Sequence, residues 1–308
     1  MKISTLRDLF HSQLSLLYEK REIDAIFFIY IESKYGIKKH HYFLNPEIEE
    51  RKEKGERRKD LEELSKGCPI QYIVGKTFFY DLELNVNPTV LIPRPETEEL
   101  VEMILKNEEK RWQGAGQFLL LSEEKVSDGG KPSSDGRGET ILDLATGTGA
   151  IAIALAKKIK NATVWATDIS KEALETAKQN AIHNNVKITF LHHNLLKDDT
   201  SILPNNIDVV VSNPPYIPQS ERANLHKNVI NYEPNTALFV PDNNPLIFYN
   251  AIANIAKKIL RKEGSLYFET HEKFHSELSA MLTKTGFKEI ELWNDMNGKP
   301  RFISCKKL

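Results

Sequence analysis

Ile141-Leu142-Asp143-Leu144-Ala145-Thr146-Gly147-Thr148-Gly149-Ala150-Ile151 reads as a strand, a glycine turn and the first residues of a helix. A short aliphatic run suits a strand covered on both faces. Gly147 and Gly149 permit a tight turn and let a ligand approach the backbone. In isolation the same glycines would suit a bare strand–helix connection. Two features sharpen the reading. The turn lacks the full G-x-G-x-x-G of dinucleotide binders, and Asp168 ends the next expected strand about twenty residues on, where a carboxylate can accept hydrogen bonds from both ribose hydroxyls. An adenosine-type ligand is therefore expected across the ends of the first two strands, touching Ala145, Thr146, Gly147, Thr148, Gly149 and Asp168.

Outward from this turn, strand and helix alternate to the end of the sequence, the pattern of an α/β doubly wound sheet. Strands are predicted at 141–145, 163–167, 187–191, 207–211 and 265–269, with a last antiparallel pair at 287–293 and 301–305. Helices are predicted near 149–160, 170–183, 244–262 and 272–285. Upstream, residues 1 to about 75 are read as a small helical domain. Leu6, Leu9, Phe10, Leu14 and Leu17 recur at helical spacing, as do Ile23, Phe27, Phe28 and Ile31. Ser4 or Thr5 could cap the first helix. Residues 51–63 mix both charges like a solvated helix, with Leu61 and Leu64 inward. Between 76 and 95, Phe78–Val86 suggests two short strands turning near Asp81, and Val90-Leu91-Ile92 a strand ended by Pro93 and Pro95. Glu96, Glu98 and Glu99 suit the first turn of a helix running to about 112. Residues 113–139 are rich in Gly, Ser, Lys and Asp and read as a linker. The expected domains are thus 1–75 (helical, recognition), 76–95 (hairpin linker) and 96–308 (catalytic).

Downstream, Val209-Val210-Val211-Ser212-Asn213-Pro214-Pro215-Tyr216 begins as a buried strand and ends abruptly, because proline lacks the N–H a sheet ladder needs. Asn213 carries an acceptor oxygen and an NH2 donor, and the following proline restricts its backbone to extended geometry. The Pro214 carbonyl can accept, and Tyr216 can supply a flat stacking face. These residues, with Pro215 bracing the turn, suit a clamp for a planar group bearing an NH2, either a carboxamide or an exocyclic base amine. Asp143, acting directly or by bracing the loop, favours a cationic ligand over a phosphate-bearing one. S-adenosyl-L-methionine, with its ammonium and sulfonium, fits that preference, and Asn194-Leu195 after the third strand is where its adenine is expected.

The 308 residues suffice for one large domain and one small one. A formal net charge of -1 argues against the protein-wide basic field of a nonspecific nucleic-acid binder. Two cysteines, Cys68 and Cys305, form no C-x-x-C pattern and suggest a reducing compartment. The first residues lack the apolar run of a signal peptide, and no run reaches membrane-spanning length. A cytoplasmic protein is expected. His271-Glu272-Lys273-Phe274-His275 fits H-E-x-x-H, the zinc protease pattern. It offers no third ligand, so solvated histidines are expected there and no metal. His192-His193 is read as two edge histidines pointing apart, and Cys68 as a packed thiol.

With both halves in view, the chain resembles the HemK-type (PrmC) release factor glutamine methyltransferases over roughly 65–308. The resemblance rests on Pro69–Gly75, on Ile92-Pro93-Arg94-Pro95-Glu96-Thr97-Glu98, on Leu142–Gly149, on Asp168-Ile169-Ser170, and on Ser212–Ile217. Tyr232-Glu233-Pro234, Ala237-Leu238 and Asn297–Arg301 match as well. It implies a Rossmann-like class I methyltransferase sheet, S-adenosylmethionine as cofactor, and N5-methylation of the glutamine in the Gly-Gly-Gln motif of class 1 peptide chain release factors. Asn213 and the Pro214 carbonyl would bind that glutamine, with Tyr216 packed against it. The departures are Ala145 where the family usually has Gly, Asn194 where it often has Asp, Glu269-Thr270-His271, and the long 113–139 linker. An adenine-N6 DNA or RNA methyltransferase, a ribosomal-protein glutamine methyltransferase, and a cofactor-binding module without transfer are the competing expectations.

Overall fold

The structure, a computed structural model, describes residues 1–48, 54–114, 138–197 and 199–308; most of the expected 113–139 linker lies outside them. The chain divides into two units, and neither is a single stretch. One comprises Met1–Lys76, Val86–Pro88 and Leu225–Glu233, the other Thr77–Asn85, Thr89–Asn224 and Pro234–Leu308.

The smaller unit is helical, with helices Ile3–Leu14, Lys20–Tyr35, Lys54–Ser65 and Ile70–Val74. Leu6, Phe10, Leu14, Ile23, Phe27 and Ile31 are buried as the spacing predicts, while Leu17 is exposed. Phe10 and Phe27 meet edge to face at 5.5 Å, and Leu61 and Leu64 close the same core. Neither Ser4 nor Thr5 caps the first helix, which begins at Ile3. Its first amides instead donate to the Pro46 carbonyl and the Asn45 side chain, which satisfies the orphan N–H groups of a helix start. The segment Leu225–Glu233 packs within this unit: Asn228 donates to the Tyr18 hydroxyl at 3.1 Å and Tyr232 to the Lys66 carbonyl at 3.2 Å.

The larger unit holds a seven-stranded sheet. Its strands are β1 (Thr140–Leu144), β2 (Thr163–Asp168), β3 (Ile188–His192), β4 (Ile207–Ser212), β5 (Leu260–Glu269), β6 (Lys288–Asn294) and β7 (Pro300–Lys307). They lie in the order β6-β7-β5-β4-β1-β2-β3. β1 to β5 are parallel, and β6 and β7 are antiparallel. This is the doubly wound sheet that the alternation predicts. Successive residues face opposite sides of a strand. Accordingly Ile141, Val209 and Val211 enter one core, with helices Pro95–Gly114 and Ala150–Lys158. Leu142, Leu144 and Val210 enter the other, with helices Ile247–Ile259 and His275–Thr285.

Three local expectations are corrected. Val90–Ile92 is not a strand; the prolines at 88, 93 and 95 bound it too closely for a longer extended run. β5 begins at Leu260, inside the stretch expected to continue the preceding helix to 262. The helix expected from 272 begins at His275, leaving His271 before it, and both histidines of H-E-x-x-H are buried rather than solvated. The hairpin does form, from Lys76–Phe79 and Leu82–Asn85. Tyr80 and Asp81 occupy its turn with φ of 50° and 63°, the double left-handed geometry of a two-residue hairpin loop. No helix among the described residues is long and apolar enough to cross a membrane.

Candidate active site

Sheet register decides which residues meet. Leu144 pairs with Thr167 on one side and Ser212 on the other; Asp168 pairs with His192, and Ser212 with Phe268. Each strand's next residues therefore emerge side by side at the carboxyl edge: Asn194-Leu195, Asp168, Ala145–Thr148, Asn213 and Glu269. β1 lies where the strand order reverses, the place at which open α/β sheets bind ligands. The Ser212 hydroxyl donates to the Leu144 carbonyl at 2.6 Å, tying the exit of β4 to the exit of β1.

A cavity of about 370 Å³ opens along this edge. Ala145, Thr146, Gly147, Thr148, Asp168, Leu195, Asn213 and Pro215 line it, all of them expected site residues. Gly149, Pro214 and Tyr216 are not among its lining residues. Gly149 adopts φ 81°, and a Cβ there would meet Ile153 and Ala177 at 3.1 and 3.2 Å, so it serves turn and helix packing. Thr97 and Arg94, from the Pro-Arg-Pro-Glu-Thr segment, line the cavity too. So do His193 and Asn194. His192 and His193 hydrogen-bond separately to the Ile169 and Asp199 carbonyls, as expected of unrelated edge histidines. Asn194 accepts from the Leu196 amide at 2.9 Å and so shapes the third strand's exit.

Asp168 is held by the loops it joins. One carboxylate oxygen accepts the Gly147 N–H and the other the Ser170 N–H, each at 2.9 Å. Burial raises its carboxyl above the ordinary range, and the Ser170 and Gly147 amides oppose that rise. Each oxygen keeps lone-pair capacity after these bonds.

Asp143 does not line the cavity. It is fully buried, accepts from the Thr146 hydroxyl, and braces the glycine turn from behind. Its other oxygen has no hydrogen-bond partner among the described residues. Burial pushes its pKa from 3.8 to about 7. The folded protein thus holds a proton that the unfolded chain has released between those values. This group's contribution to stability falls as pH rises from about 4 to 7 and stays low above that. Asp143→Asn is expected to raise the melting temperature at pH 8 and to leave it nearly unchanged near pH 4, with a gain of roughly 1–3 kcal/mol at the higher pH. Thermal melts at the two pH values check this; a gain of equal size at both overturns it.

Ala145 has φ of 61°. The left-handed region is where a Cβ crowds the following carbonyl, which gives a physical reason for glycine at this position. The methyl is tolerated here at the expense of strain. Ala145→Gly is expected to stabilise the protein by about 1 kcal/mol. Thermal denaturation measures it, and a lowered melting temperature would contradict the strain.

Asn213 and Tyr216 join a buried network that local sequence does not announce. Asn213 Nδ2 lies 3.1 Å from Thr97 Oγ1. Thr97 Oγ1 donates to Glu269 Oε2 at 2.6 Å, and the Tyr216 hydroxyl donates to Glu269 Oε1 at 3.0 Å. The Tyr249 hydroxyl donates to the Glu269 carbonyl at 3.1 Å. Thr97 is 5% and Glu269 1% exposed. Tyr216 thus uses its hydroxyl inward and meets His271 edge-on at 6.0 Å. Burial and the Glu269 charge hold its phenol well above the ordinary range.

The H-E-x-x-H histidines have separate partners. His271 contacts Glu221 at 3.2 Å, and His275 contacts the Thr270 hydroxyl at 2.6 Å. No group of three or more His, Cys, Asp or Glu suited to a metal occurs among the described residues. Cys68 and Cys305 are both free and buried, and burial pushes the Cys68 thiol up to about 11.

Residues 131–236 match the family described as the methyltransferase small domain. A release factor glutamine methyltransferase of Flavobacterium psychrophilum is 39% identical over 304 residues, 98% of each chain. One of Bacteroides thetaiotaomicron is 36% identical over 244 residues, 79% of this chain and 78% of the relative. One of Lactococcus lactis subsp. lactis is 41% identical over 239 residues, 77% of each. With such identity sustained along nearly its whole length, and with the sheet and cavity just described, the chain belongs to the release factor glutamine methyltransferase family.

Proposed function

We propose that this chain transfers a methyl group from S-adenosyl-L-methionine to the side-chain amide nitrogen of the glutamine in the Gly-Gly-Gln motif of class 1 peptide chain release factors, in the cytoplasm and without a metal, a membrane or bound nucleic acid. The observation that carries this reading is that Asn213 shares one cavity wall with Ala145–Thr148 and Asp168. The amide proposed to grip the carboxamide and the residues proposed to hold the nucleoside thus line one cavity.

The residues present fit the cofactor. Where a Cβ on Gly147 would stand there is nothing within 4 Å, so the loop leaves open space at its closest backbone approach. Ile151, Ile169, Leu195 and Leu196 give the cavity apolar walls suited to a base. Among the described residues that line it, Arg94 and His193 are the only basic side chains, which suits a nucleoside without phosphates. Asp168 would hold the ribose hydroxyls, the Ala145–Thr148 backbone the amino-acid end, and Leu195 the adenine. When bound, S-adenosylmethionine supplies an electrophilic sulfonium methyl.

The chain's own contribution is positioning and electrostatics. An amide nitrogen is a weak nucleophile because its lone pair is delocalised. The Asn213 oxygen and the Pro214 carbonyl would accept its two N–H bonds. That would orient the nitrogen and favour the positive charge that develops on it as its bond to the methyl forms and the sulfur–methyl bond breaks, leaving the cofactor a neutral thioether. The charge would be lost with one of the two amide protons, released to solvent. Tyr216 does not line the cavity; anchored on Glu269, it would support the turn from behind. The test is mass spectrometry of a class 1 release factor after incubation with the enzyme and the cofactor. One added methyl mapped to the Gly-Gly-Gln peptide is expected. Methyl transfer to DNA, rRNA or a ribosomal protein instead, or cofactor binding without transfer, overturns the proposal.

A further inference from the structure

We propose that the buried Glu269 carboxylate, acting through the Thr97 hydroxyl, decides which end of the Asn213 amide faces the cavity, and so makes Thr97 and Glu269 positioning residues for the substrate carboxamide. The inference rests on the reading of Asn213 as the clamp for that group.

An asparagine side chain has two nearly isosteric ends, one that accepts and one that donates. A clamp for a substrate NH2 works with one and opposes it with the other. Nothing in Asn213 itself selects between them; the selection comes from proton counting behind it. Thr97 has one hydroxyl proton. Glu269, as an anion, has none and accepts from both Thr97 and Tyr216. With its proton committed to Glu269, Thr97 can only accept from Asn213. The amide must then present Nδ2 to Thr97, as the 3.1 Å contact has it, and Oδ1 becomes the end left for the ligand. Turning the amide over would place two acceptors face to face unless Thr97 withdrew its proton from Glu269. That would leave a carboxylate oxygen without its donor at a residue 1% exposed, a costly state for a buried charge.

The proton order described is that of the ionised Glu269, which accepts from Thr97 and Tyr216 and is present above its raised pKa. Arg301 acts on it favourably and is itself fixed by Asp295 at 3.4 Å. Burial and the nearby Glu96 raise its carboxyl above the ordinary range, while the Thr97 and Tyr216 donors and Arg301 oppose them. One carboxylate thereby sets the proton direction of both polar side chains in the Asn-Pro-Pro-Tyr turn.

The test compares Thr97→Val, which keeps the shape and removes the hydroxyl, with Thr97→Ser, which restores it. For Thr97→Val, kcat on release factor is expected to fall about tenfold, the effect of losing one hydrogen bond that selects the productive amide orientation. The S-adenosylmethionine Kd and the KM for release factor stay within about threefold, because the cavity wall is retained. Thr97→Ser recovers most of the lost kcat. A Thr97→Val protein that turns over at the wild-type rate overturns the inference. So does one in which cofactor affinity and melting temperature collapse together with kcat and serine restores nothing, since that describes a structural role alone. A neutron structure of the deuterated wild-type protein decides the same point without a variant. A Thr97 deuteron directed at Glu269, with the Asn213 ND2 group towards Thr97, is expected; a Thr97 deuteron directed at Asn213 overturns it. Wild-type enzyme that leaves release factor unmethylated would instead reject the substrate reading, and is recorded separately by the unmutated control.

Discussion

Asn213→Ala is expected to lower kcat, at saturating cofactor and release factor, by roughly a hundred- to a thousandfold, the usual effect of deleting one preorganised polar contact at a reacting centre. The cofactor Kd should change by less than about threefold, because the ribose and base contacts proposed for Asp168 and Leu195 are untouched. The argument is geometric. Asn213 emerges from β4 directly after Ser212, whose hydroxyl is bonded to Leu144, and directly before Pro214. Its backbone has little freedom, and its amide is tied to Thr97. Alanine retains that backbone and deletes only the amide. The substrate nitrogen would lose both its orientation and a partner for developing positive charge. Steady-state kinetics with calorimetric cofactor titration separates the two effects. Wild-type turnover in Asn213→Ala would remove the carboxamide clamp from the mechanism. Loss of cofactor binding in proportion to kcat would point to collapse of the cavity instead.

What the sequence discloses and what it hides follow one physical division. Features written in neighbouring residues are legible. The aliphatic run of β4 and the prolines that stop it, the glycine turn after β1, and Asp168 one strand later all occur at the carboxyl edge. Each depends on period, φ preference or the missing proline N–H, and these act locally. The clamp's support is different in kind. Thr97 and Glu269 are 172 residues apart and meet at 2.6 Å, and no periodicity links them. The only signal was that Thr97 falls in a segment matching the family, Ile92–Glu98; Glu269-Thr270-His271 departs from the family pattern. Tyr216 reads as a stacking ring because an aromatic after Asn-Pro-Pro suggests one, yet its hydroxyl is drawn inward by a carboxylate on another strand. The left-handed backbone of Ala145 was illegible because alanine rarely adopts it. The return of Leu225–Glu233 to the helical unit is again a long-range pairing that composition does not encode.

Asp168→Ala is expected to act in the opposite sense from Asn213→Ala. It should raise the S-adenosylmethionine Kd by about a hundredfold while kcat at saturation changes only severalfold. A hydrogen bond to a charged group contributes about 1.5–3 kcal/mol, and a carboxylate that bonds two vicinal hydroxyls makes two of them. Part of the loss is indirect. Removing the carboxylate also strands the Gly147 and Ser170 amides, which now donate to it at 2.9 Å, so the glycine turn loses a fixed point. Asp168→Asn distinguishes these contributions, since its oxygen can retain one amide while its NH2 opposes the other. An affinity between wild type and alanine is expected for it. The same carboxylate sets a pH dependence. Burial raises its carboxyl above the ordinary range, so protonation, and with it loss of acceptor capacity, begins at a higher pH than for an exposed aspartate. Cofactor affinity should therefore weaken as the solution is acidified through that raised value, and the weakening should be absent in Asp168→Ala. Calorimetric titration across pH measures both. An alanine variant that binds cofactor as tightly as wild type would remove Asp168 from the ribose contact and leave it only as the brace for Gly147 and Ser170.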